Sequence, residues 1–359
     1  MSESSATTTD WSPRILVCGW AGAGNIGDEL LTRALLARLE SAGAEPVIAS
    51  RDPAATTLVH GVEAVPWGFV GRGKLRDIDG VCLGPGGILQ DSSSVWSLPG
   101  HLVLPQRAKR MGAVVRSLGV GAEPLGCRSS GWMLRRVLGD SPIVTRDEPS
   151  SSALAGVGLE TRTGADLVFG LALPAVERRQ EIVVAVGPAV GDGRFSPAAR
   201  RLQPLNTAAI AKAVDALADR YQCTVVLAAY RGARDRQAAH EIRARLRSPA
   251  EVLDDDVDLH VARTVGARLI VSSRYHPIVL AAISGTPAIV VSTQVKVRSL
   301  CEMIGAPLIA QATSWAEAGD VDGLSTSAPI VPASLDETIT AVEELVGEAR
   351  ATRRKALGG

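Results

Sequence analysis

Residues 267–304 read ARLIVSSRYHPIVLAAISGTPAIVVSTQVKVRSLCEMI and are closed by Gly305. The apolar run Leu269 to Val271 has the length and β-branched character of a strand buried on both faces of a parallel sheet. Ser272 and Ser273 follow, then the triplet Arg274-Tyr275-His276. Pro277 is expected to open an apolar helix that closes near Gly285, with Pro at the first helical position and Gly past the last. A second buried strand, Ala288 to Val291, leads to a loop carrying Gln294 and Lys296. In an open α/β sheet the carboxyl ends of the strands face the ligand crevice. A fixed cation, a titratable imidazole and a helix N-terminus therefore converge on one place, an arrangement suited to a small anion.

Working outward, the same strand–loop–helix rhythm fills the chain. Arg14 to Gly19 reads as a first strand, followed by Gly22-Ala23-Gly24-Asn25-Ile26-Gly27 and then Asp28 and Glu29 at the head of a helix. The spacing G-x-G-x-x-G is that of a dinucleotide loop, and Asp52 or Arg51 after the second strand (Val47 to Ala49) suits a ribose or a 2′-phosphate. Asp28 and Glu29 favour the helix dipole but repel a pyrophosphate on the same N-terminus. A second Gly-rich loop, Gly84 to Gly87, precedes Gln90 and Asp91, which can bind sugar hydroxyls, and Ser92 to Ser94, which can cap a helix. Strands are expected at Ala113 to Leu118 and Pro142 to Val144, the latter ending in Arg146-Asp147-Glu148. Arg146 reads as a second anion clamp or as one half of an ion pair with its acidic neighbours.

After Asp166 the polar segment Pro174 to Gln180 reads as a linker, and strands restart at Ile182 to Val186 and Thr224 to Ala228. The expectation is an α/β chain of two Rossmann-like, doubly wound domains facing across a cleft. Its parts are a disordered leader at 1–13, a first domain at 14–175, a second at 180–332, and a C-terminal helix with a basic tail at 333–359. Asp235 is expected to cap a helix at the cleft rim. Arg350, Arg353, Arg354 and Lys355 complement a helix C-terminus or touch an anionic membrane.

Composition narrows the function. Lys+Arg and Asp+Glu are both 38, which disfavours nucleic acid as the main partner. The five cysteines are scattered, without metal spacing, and read as reduced thiols of a cytoplasmic protein. No run approaches ~18 apolar residues, so no membrane-spanning helix is expected.

Taken together, these blocks resemble the polysaccharide pyruvyl transferase family. Gly22, Asn25, Gly27, Asp28 and Glu29 match its G-x-x-N-x-G-D-E loop, and Gly86, Gly87, Leu89, Gln90 and Asp91 its G-G-x-L-x-Q-D segment. Ser272, Arg274 and His276 match S-x-R-x-H, and Lys296-Val297 the loop that follows it. Arg146, Asp147 and Ser150, with Ala165, Asp166 and Phe169, echo two shorter segments. Two places depart from the pattern: Val186-Gly187-Pro188 stands where members often carry an Arg (Arg194 is the next one), and Ser292-Thr293-Gln294-Val295 lacks the usual Asp-Pro before Lys296.

The resemblance implies a GT-B-like architecture, phosphoenolpyruvate as co-substrate, and a sugar or glycan acceptor, free or lipid-linked, at the inner face of a membrane or away from it; the residues show no metal site, so no metal or other cofactor is expected. His276 would be the general acid, with Asp28 or Asp91 taking a hydroxyl proton and Lys296 neutralising the departing phosphate. Arg274, Tyr275, Arg146 and Lys296 would hold the donor, and Asn25, Asp28, Gln90 and Asp91 the acceptor. Competing readings are a nucleotide-sugar glycosyltransferase, an NAD(P)-dependent oxidoreductase built on Gly22 to Gly27, and a non-catalytic sugar-phosphate binder.

Overall fold

The computed structural model describes residues 11–67, 75–92, 96–188 and 205–356. Residues 1–10 of the expected leader, Ser93, Ser94 and Arg194 lie outside them. Two parallel sheets account for the strands. The first contains β1 (Arg14–Cys18), β2 (Glu45–Ser50), β3 (Glu63–Pro66), β4 (Gly80–Leu83), β5 (Gly86–Leu89), β6 (Val114–Ala122), β7 (Ile143–Thr145) and β8 (Arg162–Thr163). Its order is β3-β2-β1-β4-β6-β7-β8, with β5 paired to β6 beside that path. The second contains β9 (Glu181–Ala185), β10 (Thr224–Leu227), β11 (Ala250–Val252), β12 (Leu269–Ser272), β13 (Ala288–Val290) and β14 (Ile309–Gln311). Its order is β11-β10-β9-β12-β13-β14.

The strands are short and almost wholly buried (β1, β4, β9 and β12 expose at most their first residue) because helices cover both faces of each sheet. In each sheet the order reverses beside its first strand, between β1 and β4 and between β9 and β12. The carboxyl ends at such a reversal splay apart, which makes a crevice there. Loops at the carboxyl ends of the two sheets meet. The backbone of Asn25 forms an antiparallel bridge with Arg231, and Ile26 N donates to Tyr230 O at 2.9 Å. One apolar core then runs through the junction, from Leu30, Leu31 and Leu35 on the helix Ile26–Ser41, through Leu167 and Val168, to Ile278 and Ala282 on the helix Tyr275–Ser284.

Two expected boundaries shift. The apolar helix starts at Tyr275 with Arg274 as its N-cap, two residues before Pro277. Proline is tolerated there because the first turn's N–H groups have no intrahelical acceptor in any case. Asp235 lies inside the first turn of the helix Gly232–Arg243, fully buried, instead of capping it from outside.

The last helix, Leu335–Ala356, does not stand apart. It packs on β4, β6 and β7 of the first sheet, burying Leu335, Ala341, Val342, Leu345 and Val346. Arg116 of β6 is buried beneath it and bonds Glu344 at 2.5 Å and Glu348 at 2.6 Å. Of the basic tail, Arg350 donates to the carbonyls of Ala42 and Gly43, and Arg353 sits near Asp79 and over the Trp11 ring. Those two cations are thus engaged in packing the helix; Arg354 and Lys355 remain exposed.

Candidate active site

The groups that the two sheets bring together all sit just beyond carboxyl ends of strands. From the first domain come Asp28 (after β1), Glu123 (after β6), Arg146 (after β7) and Asp166 (after β8). From the second come Arg231 (after β10), Arg274 and His276 (after β12) and Lys296 (after β13).

His276 is the centre. Its Nε2 lies 3.6 Å from Asp166 Oδ2, and neither atom has a hydrogen-bond partner among the described residues. The other side of the ring rests on Gly27, where a Cβ would fall well inside contact distance of Nδ1. Glycine is therefore needed at 27 for space rather than for backbone freedom. Asp166 is buried and receives Val168 N at 3.0 Å through its other oxygen. Burial alone would raise its pKa, but the neighbouring His276 and then Arg146 outweigh burial and hold it below the usual carboxylate range.

Arg146 lies over the Tyr275 ring at 4.5 Å, donates to Asp147 at 3.2 Å and approaches Asp166 at 3.7 Å. It is buried against Gly121, where a Cβ would come within 2.9 Å of the guanidinium. Tyr275 itself is buried, and burial pushes its phenol up out of the titrating range.

Asp28 is held by Asn25, whose amide donates to it at 2.6 Å, while Asn25 Oδ1 accepts from Gly27 N at 3.1 Å as the helix N-cap. Burial raises the Asp28 carboxyl to about 6, in spite of the nearby His276, Arg231 and Arg146 cations. A carboxylate in that range suits proton transfer near neutral pH. Lys296 Nζ approaches Glu123 Oε1 at 3.4 Å. Burial, followed by the Arg146 charge, lowers the Lys296 pKa, and Glu123 works against that.

Arg274 forms a two-pronged pair with the buried Asp235, through Nε at 2.9 Å and through Nη2, which also donates to Pro188 O at 3.2 Å. Gly187 makes this possible. A Cβ there would collide with both Asp235 Oδ1 and Arg274 Nη2. So position 187, within the stretch where family members often carry an arginine, has no room for a side chain, and the guanidinium of Arg274 fills that space.

Some expected residues do other work. Both Asp91 oxygens are taken up by Gly126 N, Cys127 N and Ser130 Oγ at 2.7–3.0 Å, so the buried Asp91 ties down the turn that leads into the helix Arg128–Leu138. Gln90 accepts from Ser92 Oγ at 2.9 Å, and Ser92 also donates to Glu123 at 2.6 Å. Ser92 thus serves the Glu123–Lys296 pair rather than a helix cap, since the helix Ser97–Lys109 starts at Trp96 without a side-chain cap. The dinucleotide-like loop is closed on itself, because Gly22 N donates to Glu29 Oε1 at 2.8 Å and Glu29 Oε2 meets His60 at 2.8 Å. A carboxylate occupies the amide that a pyrophosphate would need.

Two members of the cluster were not anticipated. Glu123 follows β6 and partners Lys296. Arg231 follows the buried run Val225 to Tyr230, with its backbone N bound to Asp235 at 3.0 Å and its side chain exposed. Its signal in the sequence was a lone arginine at a strand's carboxyl end immediately before Gly232.

This cluster sits on two Rossmann-like sheets of GT-B-like architecture. The sequence matches the family profile of the polysaccharide pyruvyl transferases over residues 25–294, and the chain belongs to that family of transferases. A sugar or polysaccharide acceptor goes with that membership. No curated protein matches the sequence. Solved structures share the fold. UDP-N-acetylglucosamine 2-epimerase from Rickettsia bellii superposes with a TM-score of 0.58 at 11% identity, covering 95% of this chain and 97% of that one. UDP-GlcNAc 2-epimerase from Methanocaldococcus jannaschii gives 0.54 at 10% identity, with 92% and 99% covered. Among the described residues no helix is long and apolar enough to cross a membrane.

Proposed function

We propose that the chain transfers the pyruvyl unit of phosphoenolpyruvate to two hydroxyls of a sugar, forming a cyclic ketal and releasing phosphate. The observation that carries this reading is the placement of one imidazole, His276, between a buried carboxylate and a group of four cations, Arg146, Arg231, Arg274 and Lys296. Phosphoenolpyruvate is a small trianion whose reaction starts by protonation at carbon, so it calls for both features.

In this scheme the amides at the uncapped start of the helix Tyr275–Ser284 and the exposed Arg231 bind phosphate and carboxylate. Arg274, anchored by Asp235, lines the pocket with its remaining N–H. Protonated His276, with Asp166 as its counter-ion, delivers the proton to the methylene carbon, and C2 becomes electron-poor. A sugar hydroxyl attacks C2 and gives its proton to Asp28. The C2–O bond to phosphate breaks, Lys296 neutralises the leaving oxygens, and the second hydroxyl closes the ketal as its proton passes to phosphate. Arg231 would here take the part that an arginine at position 187 cannot, given the lack of space there.

The test is calorimetric titration with phosphoenolpyruvate, with a UDP-sugar and NADPH as parallel titrants, followed by phosphate release in the presence of sugar acceptors. Saturable phosphoenolpyruvate binding that is weakened in Arg231→Ala, with turnover abolished in His276→Ala, supports the proposal. Binding of UDP-sugar or NADPH in its place, or wild-type turnover in His276→Ala, overturns it.

A further inference from the structure

A second cluster lies on the same carboxyl edge of the first sheet and takes no part in the chemistry above. Trp20 follows β1, Trp67 follows β3, and His101 projects from the helix Ser97–Lys109. Their ring centroids lie 5.1–5.3 Å apart, with Trp67 close to perpendicular to both others at 87° and 79°. Arg51, directly after β2, places its guanidinium 5.0 Å from the Trp20 ring and 5.6 Å from the Trp67 ring.

The arrangement is held from several sides. Gly100 leaves room for the Trp67 indole, since a Cβ there would come within 2.5 Å of it. Trp67 N donates to Ser50 O at 2.6 Å, and Arg51 N to Ala21 O at 3.1 Å, so the backbones of these loops are tied together. His101 is buried, and burial together with the Arg51 charge pushes it down to about 4, so it is a neutral ring near pH 7. Its Nδ1 is buried without a hydrogen-bond partner among the described residues.

Three features separate this cluster from ordinary core. Both indoles are only half-buried, just beyond the carboxyl ends of β1 and β3. Only 3% of the chain is aromatic, with six tryptophans in all, yet two of them meet here around a histidine. Arg51 is exposed and has no carboxylate partner among the described residues. Partly exposed indoles offer flat apolar surface to the C–H faces of a sugar ring. A guanidinium steadied on those rings keeps its outer N–H groups free for the oxygens of a phosphate. Trp20 opens the segment that leads from β1 to the first turn of the helix Ile26–Ser41, which carries Asp28, so one short stretch of chain links this surface to the group that takes the acceptor's proton.

We propose that Trp20, Trp67 and Arg51 form an acceptor subsite for a pyranose carrying a phosphate ester. This rests on the transferase reading above, because it assigns the surface to the acceptor. Quenching of tryptophan fluorescence by a panel of hexose and N-acetylhexosamine 1-phosphates tests it, with the matching methyl glycosides as uncharged controls. Saturable quenching by at least one sugar phosphate is expected. Arg51→Ala should weaken it roughly tenfold or more, as loss of a charge-assisted contact does, with Arg51→Lys intermediate and the methyl glycosides unaffected. Trp20→Ala should weaken both ligand classes.

Failure of every sugar phosphate to bind, or equal affinity in Arg51→Ala, overturns the proposal. Phosphoenolpyruvate titration of the same variants keeps the two readings apart. Donor binding retained in Arg51→Ala confines its effect to the subsite, whereas sugar-phosphate binding without any phosphoenolpyruvate binding in the wild type removes the donor reading and leaves the sugar site standing. A short-chain prenyl diphosphate sugar and a UDP-sugar in parallel show which source of the phosphate the subsite prefers.

Discussion

His276 Nε2 and Asp166 Oδ2 face each other at 3.6 Å from the loops beyond the two sheets, and neither has a hydrogen-bond partner among the described residues. That spacing is too long for a hydrogen bond, yet Asp166 is fully buried and Arg146 is the other cation beside it. Asp166→Asn keeps the shape and the bond from Val168 N but removes the charge. Phosphate release should fall by about 10²–10⁴, the range for a disabled general acid, with little change in phosphoenolpyruvate affinity by calorimetry.

Gly27→Ala is expected to imitate His276→Ala. The added methyl group meets His276 Nδ1, while the backbone, already helical, accepts alanine. Activity should be lost with far-ultraviolet circular dichroism unchanged. Wild-type turnover in this variant would mean the imidazole can move aside and still react.

Asp28 gives activity and stability opposite pH signatures. Its pKa of about 6 lies above the unfolded value, so the folded state favours the protonated form. That contribution is fully present below the unfolded pKa and is lost as pH rises through about 6. Asp28→Asn should therefore raise the thermal midpoint at pH 8 by a few degrees, with a smaller gain toward pH 4. The rise of kcat across pH 6 expected for the wild type should be missing from the variant's pH profile.

Glu123→Gln removes the group that opposes the lowering of the Lys296 pKa by burial and Arg146. Lys296 should then lose its proton at lower pH. The alkaline limb of the phosphate-release profile should move in the acid direction, while the acid limb, set elsewhere, stays in place.

Leu345, wholly buried under the first sheet, tests the C-terminal helix. Leu345→Ala should cost about 2–5 kcal/mol, as large-to-small core changes do. Urea unfolding followed by tryptophan fluorescence reads it. The double variant Arg354→Ala, Lys355→Ala should be neutral in the same measurement.

The strands were legible because a parallel sheet buried on both faces writes itself as short apolar runs ending in Gly, Ser or a charge. Leu269–Ser272 and Gly80–Leu83 show this directly. Because such runs end on the crevice, the residues after them were legible as a group, and Asp28, Arg146, Arg274, His276 and Lys296 do converge. Pairing was not legible. Arg274 and Asp235 are 39 positions apart, and Lys296 and Glu123 are 173 apart, and no local pattern encodes such partners. The partners of Asp91 were hidden for a related reason. A carboxylate near a Gly-rich loop suggests ligand binding, whereas here three donors of the 126–130 segment consume it. Pro277 suggested the helix start through a preference for the first position that the first turn does not enforce.

The helix Leu335–Ala356 completes the first sheet's covering, although β8, the last strand of that sheet, ends at Thr163. On a ribosome working at about 5–20 residues per second, the roughly 170 residues between them take on the order of ten to thirty seconds to emerge. During that interval β4, β6 and β7 have one face uncovered and Arg116 has neither of its glutamates. The second sheet, whose strands all lie between Glu181 and Gln311, can meanwhile form in full. The half of the protein made first is therefore the half finished last, and its exposed face in the nascent chain is where a chaperone would find something to hold.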